Sequence, residues 1–465
     1  MKRIARITAV LAVVATAGCD EFLTGPGLSE NPNNPTVVGL QQQFIGIQAN
    51  IFGLMESQFA RLAAMYVQHI AGTNNQQRDW GSRYQITEGD INNQWGNIYA
   101  GGGLLDLRLI QEGATEIGDI RWAAIAKIYE ALLMGMATSI FGDLPYRDAV
   151  GESPTPTLDP QQQIYEDVQA LLTDAISELT QAGPGPGNLD LVFGGDTVRW
   201  RKVAYTLKAR FHLHTAERLG NAAYAAALAA ATLGIDQAPT TVDIAMHGQA
   251  VGNLRAVHGN TVDDGNLWGQ FLLARDDIRA GNALVSFLAG RNDPRLDAYF
   301  DPNAAGNFRG ATQFGLPTAT GAANLPGNID LPVRRQFTFR QPIVTWAENQ
   351  LILAETKFVL QGAAAALPHV NNVRASVGLA PLGAVTLADI MMEKWVVMFQ
   401  NIEAWNDYKR TCIPVLVPGG DPVAAAVPGR IPYAVNERQN NPNFPLPSAQ
   451  PARNWNDPNP CTGPA

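Results

Sequence analysis

The chain has 465 residues, 46% of them hydrophobic and 16% charged, so it can bury a sizeable core yet carries far less charge than the roughly 25% of an average soluble protein. A disordered or collagen-like chain is excluded. With 33 Lys and Arg against 42 Asp and Glu the net charge is −9, which leaves no broad cationic field for a phosphate backbone and argues against a nucleic-acid partner.

Uncharged polar side chains take over solvation, in runs such as Gln41-Gln42-Gln43, Asn74-Asn75-Gln76-Gln77 and Asn92-Asn93-Gln94. At the N-terminus Lys2, Arg3 and Arg6 precede an uncharged stretch over residues 7–17. This is the pattern of an export signal, too short to span a bilayer as a mature helix. It ends in Thr16-Ala17-Gly18-Cys19, which resembles the lipobox of bacterial lipoproteins. The expectation is a signal peptide over 1–18 and a mature chain over 19–465, acylated on Cys19. Such a chain is held to the membrane by its lipid alone, each buried CH₂ contributing about 0.8 kcal/mol. Cys412 and Cys461 remain, outside any CxxC or Cys/His cluster, and in an exported protein they are expected to form a disulfide.

Apolar periodicity predicts helices near 37–71, 91–112 and 119–140. The next begins at Pro160 behind Asp159 as its cap, buries Ile164, Val168, Leu171, Leu172, Ala175, Ile176 and Leu179, and stops at Gly183-Pro184. Further helices are predicted near 198–219, 221–233, 342–361 and 366–377. Thr386 and Asp389 resemble a capping box ahead of Met391, Trp395, Met398, Ile402 and Trp405, a stripe that reads as core. Strand signal is sparse, with weak alternation from Arg334 to Phe339. The reading is mostly α: about four antiparallel helix pairs of tetratricopeptide-like length, in a scaffold over 36–234 and 341–410. A Gly-, Asn- and Pro-rich insertion over 235–340 interrupts it, and a tail follows over 411–465. Such long irregular stretches are usually functional.

Catalytic signatures are missing: no GxSxG elbow, HExxH, Walker loop or strand-linked GxGxxG occurs. His212 and His214 lie two apart on a helix and face different ways, a poor metal geometry, and residues 301–312 lack the ligands of a calcium loop. No metal or cofactor is expected. Sugar recognition needs aromatic faces with amides, carboxylates and guanidinium groups around them. The loop after the first helix supplies that chemistry in Asn74, Asn75, Gln77, Arg78, Asp79, Trp80, Arg83 and Tyr84.

Short motifs in a fixed order then carry a resemblance. Cys19-Asp20-Glu21-Phe22-Leu23 is followed by Asn31-Pro32-Asn33-Asn34-Pro35-Thr36, then Phe141-Gly142-Asp143-Leu144-Pro145-Tyr146 and Asp293-Pro294-Arg295. Trp346-Ala347-Glu348-Asn349-Gln350-Leu351-Ile352-Leu353-Ala354-Glu355, Val370-Asn371-Asn372-Val373-Arg374, and Glu393 with Trp405-Asn406-Asp407-Tyr408-Lys409-Arg410 come next. Arg430-Ile431-Pro432-Tyr433, Glu437 and Asn441-Pro442 close the series. In this order they resemble the SusD/RagB family of outer-membrane nutrient-uptake lipoproteins. Where many members read Glu-Arg-Arg, this chain has Glu393-Lys394-Trp395, so the motif leaves the ion pairs there open.

The resemblance implies one SusD-like, mostly helical domain that lies on a SusC-like TonB-dependent barrel transporter and captures an oligosaccharide or peptide without catalysis. It implies cell-surface residence at the outer membrane and a ligand site built from the 74–84 loop and the insertion. In the insertion Trp268, Tyr299, Phe300 and Phe308 are candidates beside Trp80. A helical scaffold that binds only proteins, and a surface glycoside hydrolase, are the competing readings.

Overall fold

A computed structural model describes residues 38–151, 153–244, 252–312, 327–329, 333–416 and 426–461. The export signal, Cys19 and the first two of the family motifs, through Thr36, lie outside the described residues.

Helices dominate. The first expected helix is two, α1 (Leu40–Glu56) and α2 (Gln58–Tyr66), because Ser57 between them is extended and its hydroxyl donates to Leu54 O at 2.9 Å. A side chain that bonds its own backbone competes with the helix ladder. The expected 91–112 helix is likewise divided into α3 (Asn92–Tyr99) and α4 (Leu104–Glu116). Gly102 sits between them at φ +93°, and a Cβ there would stand 2.7 Å from Gly46 O. Only glycine lets the chain pass α1 so closely.

Next come α5 (Ile120–Phe141), α6 (Gln161–Glu178), α7 (Thr197–His214) and α8 (Asn221–Ala231). By length and apolarity α5 could cross a membrane, but it is enclosed by the protein, 94% of its most apolar window being buried. It ends at Gly142, φ +81°. Asp159 does not cap α6. Its carboxylate accepts from Tyr146 N and Arg147 N, both at 2.9 Å, and Asp143 takes the first helical amide, Gln161 N, at 2.8 Å. The turn of the Phe141–Tyr146 motif thus caps the helix after it, a contact that linear spacing does not reveal.

The described residues of the insertion hold three short helices, α9 (Leu267–Ala274), α10 (Asn282–Gly290) and α11 (Arg295–Tyr299). The scaffold then resumes with α12 (Trp346–Gln361), α13 (Ala363–Ser376), α14 (Leu387–Val397) and α15 (Glu403–Thr411). The Thr386–Asp389 capping box is formed, and a second joins Thr345 to Glu348. Among the described residues there are four strands: β1 (Ile70–Gly72), β2 (Leu254–Arg255), β3 (Ile278–Ala280) and β4 (Pro342–Val344), paired antiparallel as β1 with β3 and β2 with β4. The expected strand over 334–339 is instead a pair of turns. Two- and three-residue strands are too short to show alternation.

The helices pack in succession: α1 on α4, α4 on α5, α5 on α6, α6 on α7, α7 on α8, α8 on α12, and α12 on both α13 and α14. Alanine makes the closest of these contacts possible. Ala227, Ala230 and Ala231 of α8 pack on Ala209 and Leu213 of α7 and on Ile352 and Leu353 of α12. The stripe from Met391 to Trp405 is core, as its periodicity requires.

Much of the scarce charge lies inside, in pairs. Arg210 of α7 grips Glu348 of α12 through Nε and Nη2 at 2.6 and 2.7 Å, and His214 meets Glu403 at 2.7 Å. Burial alone would raise Glu403, but His214 and Arg210 outweigh it and hold the carboxyl below the usual range. Arg410 joins Glu355 and Asp407, and Lys394 stands 2.9 Å from Asp407. Glu393 receives Arg295 at 2.6 Å, Arg291 at 3.1 Å and Arg374 at 3.4 Å. The Glu393-Lys394 variant of the family motif therefore still carries ion pairs on both residues. Removing one partner of a buried pair strands the other at a cost of about 3–5 kcal/mol, so the clusters hold the helices to one mutual arrangement. Cys412, which ends α15, is joined to Cys461 by a disulfide that ties down the tail.

Candidate functional site

The loop after α2 is built on the β1–β3 pair. Thr73 N donates to Asp277 O at 2.8 Å, which continues the pairing beyond Gly72, and Ser82 Oγ donates to Gly72 O at 2.7 Å. Residues Arg78–Ser82 form one wide turn, closed by Arg83 N on Arg78 O at 3.1 Å. Such i→i+5 turns occur mostly singly and often at functional sites. Gly81 lets the turn lie flat on α2, since a Cβ there would stand 2.2 Å from Met65 Sδ. Asn75, at φ +49°, occupies the left-handed region that asparagine tolerates.

This geometry divides the expected site residues. Asn75 and Arg78 are exposed, as are their neighbours Asn74 and Gln76, and Asp79 and Arg83 are half-buried and paired at 3.3 Å. Gln77 is buried, and so are Trp80 and Tyr84 at 8% and 7% exposure. The Tyr84 ring stands edge-on to Tyr66 at 5.7 Å, and Tyr66 meets Trp405 at 5.3 Å. Burial pushes the Tyr84 hydroxyl well above its usual range. The loop thus shows polar groups outward and anchors itself by its aromatic ones.

The aromatic candidates of the insertion mostly turn inward as well. Trp268 has no exposed surface and offers no ring face to a ligand; as the second residue of α9 it packs into the main core. Tyr299 stacks on Phe399 at 4.6 Å and Phe300 stands edge-on to the same ring. Phe308 keeps partial exposure. Composition detects aromatic residues but does not say which side of a short helix faces the core.

The loop and the insertion do meet. Asn75 Nδ2 donates to Asp277 Oδ1 at 2.7 Å, and Asp277 also stands 3.8 Å from Arg275, which follows α9. One turn before Met65 on α2, the Arg61 guanidinium lies over Phe271 of α9, 4.4 Å from the ring centroid. The meeting of Arg61, Phe271, Arg275 and Asp277 was not legible in the sequence, because α2 and α9 are some 200 positions apart and carry no shared motif. Wider clefts open elsewhere. One of about 550 Å³ lies between α4 and the segment after α5, lined by Leu105, Arg108, Glu112, Arg147 and Pro156. Another of about 490 Å³ is lined by Thr240, Trp346, Gln350 and Asn372.

The chain matches a known family over most of its length. Residues 32–434 match the SusD-like family described as "Starch-binding associating with outer membrane", and the chain belongs to it. A solved chitin-binding protein has a TM-score of 0.75 at 22% identity over 90% of this chain and 100% of its own. A chitin-binding SusD homolog from Flavobacterium johnsoniae has 0.74 at 17%, covering 90% of this chain and 99% of its own. A SusD/RagB family protein from Bacteroides thetaiotaomicron has 0.70 at 19%, covering 92% and 100%. No curated protein matches the chain.

Proposed function

We propose that this protein is a non-catalytic receptor at the outer-membrane surface that captures an oligosaccharide and passes it to a SusC-like TonB-dependent barrel transporter. Lipid on Cys19 would hold it to the membrane. The observation that carries the reading is the exposed rim of Asn74, Asn75, Gln76 and Arg78, set on a buried aromatic base and joined through Asp277 to the insertion, in a chain of the SusD-like family. Side-chain amides donate to and accept from sugar hydroxyls and a guanidinium donates to them, and a rigid base keeps these groups positioned so that less entropy is lost on binding. The chitin-binding proteins of the same fold favour a glycan over a peptide as ligand. Trp80, Tyr84 and Gln77 support the rim, Asp79 and Arg83 stand at its edge, and Trp268 supports α9.

Calorimetry with chitooligosaccharides and a wider glycan panel tests the proposal. Arg78→Ala should lower affinity by about tenfold or more, equivalent to about 1.4 kcal/mol, with the unfolding midpoint unchanged. Co-purification with a barrel transporter, combined with no affinity for any saccharide, would instead favour the protein-only scaffold.

A further inference from the structure

Most buried charges of this protein are paired, whereas the half-buried Arg61 is not. Its Nε is fully enclosed without a hydrogen-bond partner, and among the described residues it makes no ion pair. Its guanidinium lies on Phe271 at 4.4 Å, and Arg275 approaches the same ring at 5.8 Å. Burial, and secondarily the charge of Arg275, lower the Arg61 pKa to about 10. Gln58, one turn before Arg61 and on the same face of α2, is 5% exposed, and its Nε2 is enclosed without a partner. Desolvated N–H donors without acceptors are costly, and two adjacent ones describe the complement of an anionic acceptor. Asp277 offsets part of the charge on Arg275 but makes no ion pair with Arg61.

The position is informative. Arg61 lies one turn from Met65, where Gly81 of the polar loop crosses α2, and Arg275 is two residues from Asp277, which holds Asn75. From this juxtaposition we infer that Arg61 and Arg275, set on Phe271 with Gln58 beside them, form a carboxylate clamp at one end of the ligand surface, so that the captured glycan contains uronic acid. The inference rests on the glycan-capture reading and narrows its substrate class. A planar guanidinium matches a carboxylate in a bidentate fork, and the Phe271 face fixes its plane. A neutral sugar leaves the clamp unpaired.

Calorimetry on the mature chain would compare oligosaccharides of hyaluronan, oligogalacturonate and alginate with their carboxyl-reduced counterparts, and with neutral chitohexaose. At least one uronate oligosaccharide should bind about tenfold or more tighter than its reduced form, with affinity falling as salt rises. Arg61→Gln and Arg275→Gln should each remove that preference while leaving the affinity of the reduced form in place. Arg275 is largely exposed, so its variant carries the test if Arg61→Gln does not fold. Equal binding of acid and reduced forms, or an equal loss for both in the variants, overturns the clamp and leaves glycan capture standing. Binding of no saccharide at all overturns both. Tighter binding of a free peptide carboxylate than of any uronate overturns the sugar assignment.

Discussion

The ammonium of Lys409 stands 3.1 Å from the carboxylate of Asp457, with both side chains 1% exposed. Lys409 also donates to Ser139 O at 2.6 Å, so one cation joins the last scaffold helix, the end of α5 and the C-terminal tail. Burial lowers the Lys409 pKa more than Asp457 restores it. Asp457→Asn should therefore destabilise by about 3–5 kcal/mol in denaturant unfolding, since it leaves an unpaired charge inside. Replacing both residues together, Lys409→Met with Asp457→Leu, should cost markedly less than Asp457→Asn.

The Cys412–Cys461 bridge closes the chain over a separation of 49 residues. In the chain-entropy account a loop of this length contributes about 4 kcal/mol. A Cys412→Ala, Cys461→Ala protein should unfold at lower denaturant, and added reductant should leave its midpoint unmoved while lowering that of the parent. An unchanged midpoint in the double variant would show that the tail is held by its polar contacts alone.

His69 is fully buried, tilted against Trp395 at 5.0 Å, and burial pushes its pKa down to about 3. A group depressed on folding contributes stability above its unfolded pKa, near 6.5 for histidine, and that contribution is lost as pH falls. Between pH 6.5 and about 3 the folded imidazole stays neutral while the unfolded one takes up a proton, so each pH unit removes up to about 1.4 kcal/mol. His69→Phe should show a correspondingly shallower loss of stability across this range. Parallel profiles for the two proteins would contradict the assignment.

Trp80 and Trp268 test packing against ligand contact. Because both are buried, Trp80→Ala and Trp268→Ala should each cost about 3–5 kcal/mol of stability. A fall in glycan affinity of either variant is informative only beside its unfolding curve. Arg78, whose side chain faces solvent, reports on binding without that ambiguity.

Gly81→Ala places a methyl group within 2.2 Å of Met65 Sδ. The loop must lift from α2, so glycan affinity should fall by about tenfold through misplacement of Asn75 and Arg78. Adding Met65→Gly removes both the Sδ and the Cβ, which stand 2.2 and 2.8 Å from the methyl, and should restore most of the affinity. No rescue would indicate that Gly81 acts through backbone freedom rather than space.

The helices were legible where one face is apolar over many turns, as in α6 and the Met391–Trp405 stripe, because burial imposes a 3.6-residue period on any helix that packs on one side. The capping box at Thr386 and the turn glycine at Gly142 are local, and local chemistry is written in adjacent residues. The breaks were not. Gly102 and Gln400 interrupt predicted helices because of contacts from elsewhere: Gly102 passes Gly46, and Gln400, at φ +65°, receives Arg334 and Gln341, whereas Ser57 breaks its helix by bonding Leu54 O in its own turn.

The sequence by itself determined the class of protein, since composition, helix periodicity and an ordered series of short motifs are properties of the chain. It also marked the 74–84 loop as the place where sugar chemistry is concentrated. Only the tertiary structure decided which of those residues face outward. Trp80, Tyr84 and Trp268 have the composition of a binding site and the burial of a core, because the short turn laid on α2 and the short helix α9 must each hide an apolar side to stay ordered. The same fold brings Arg61 and Arg275 onto one ring from helices far apart in the chain. Their charge has meaning only there, because the strength of an ion pair depends on distance and on how much water is excluded.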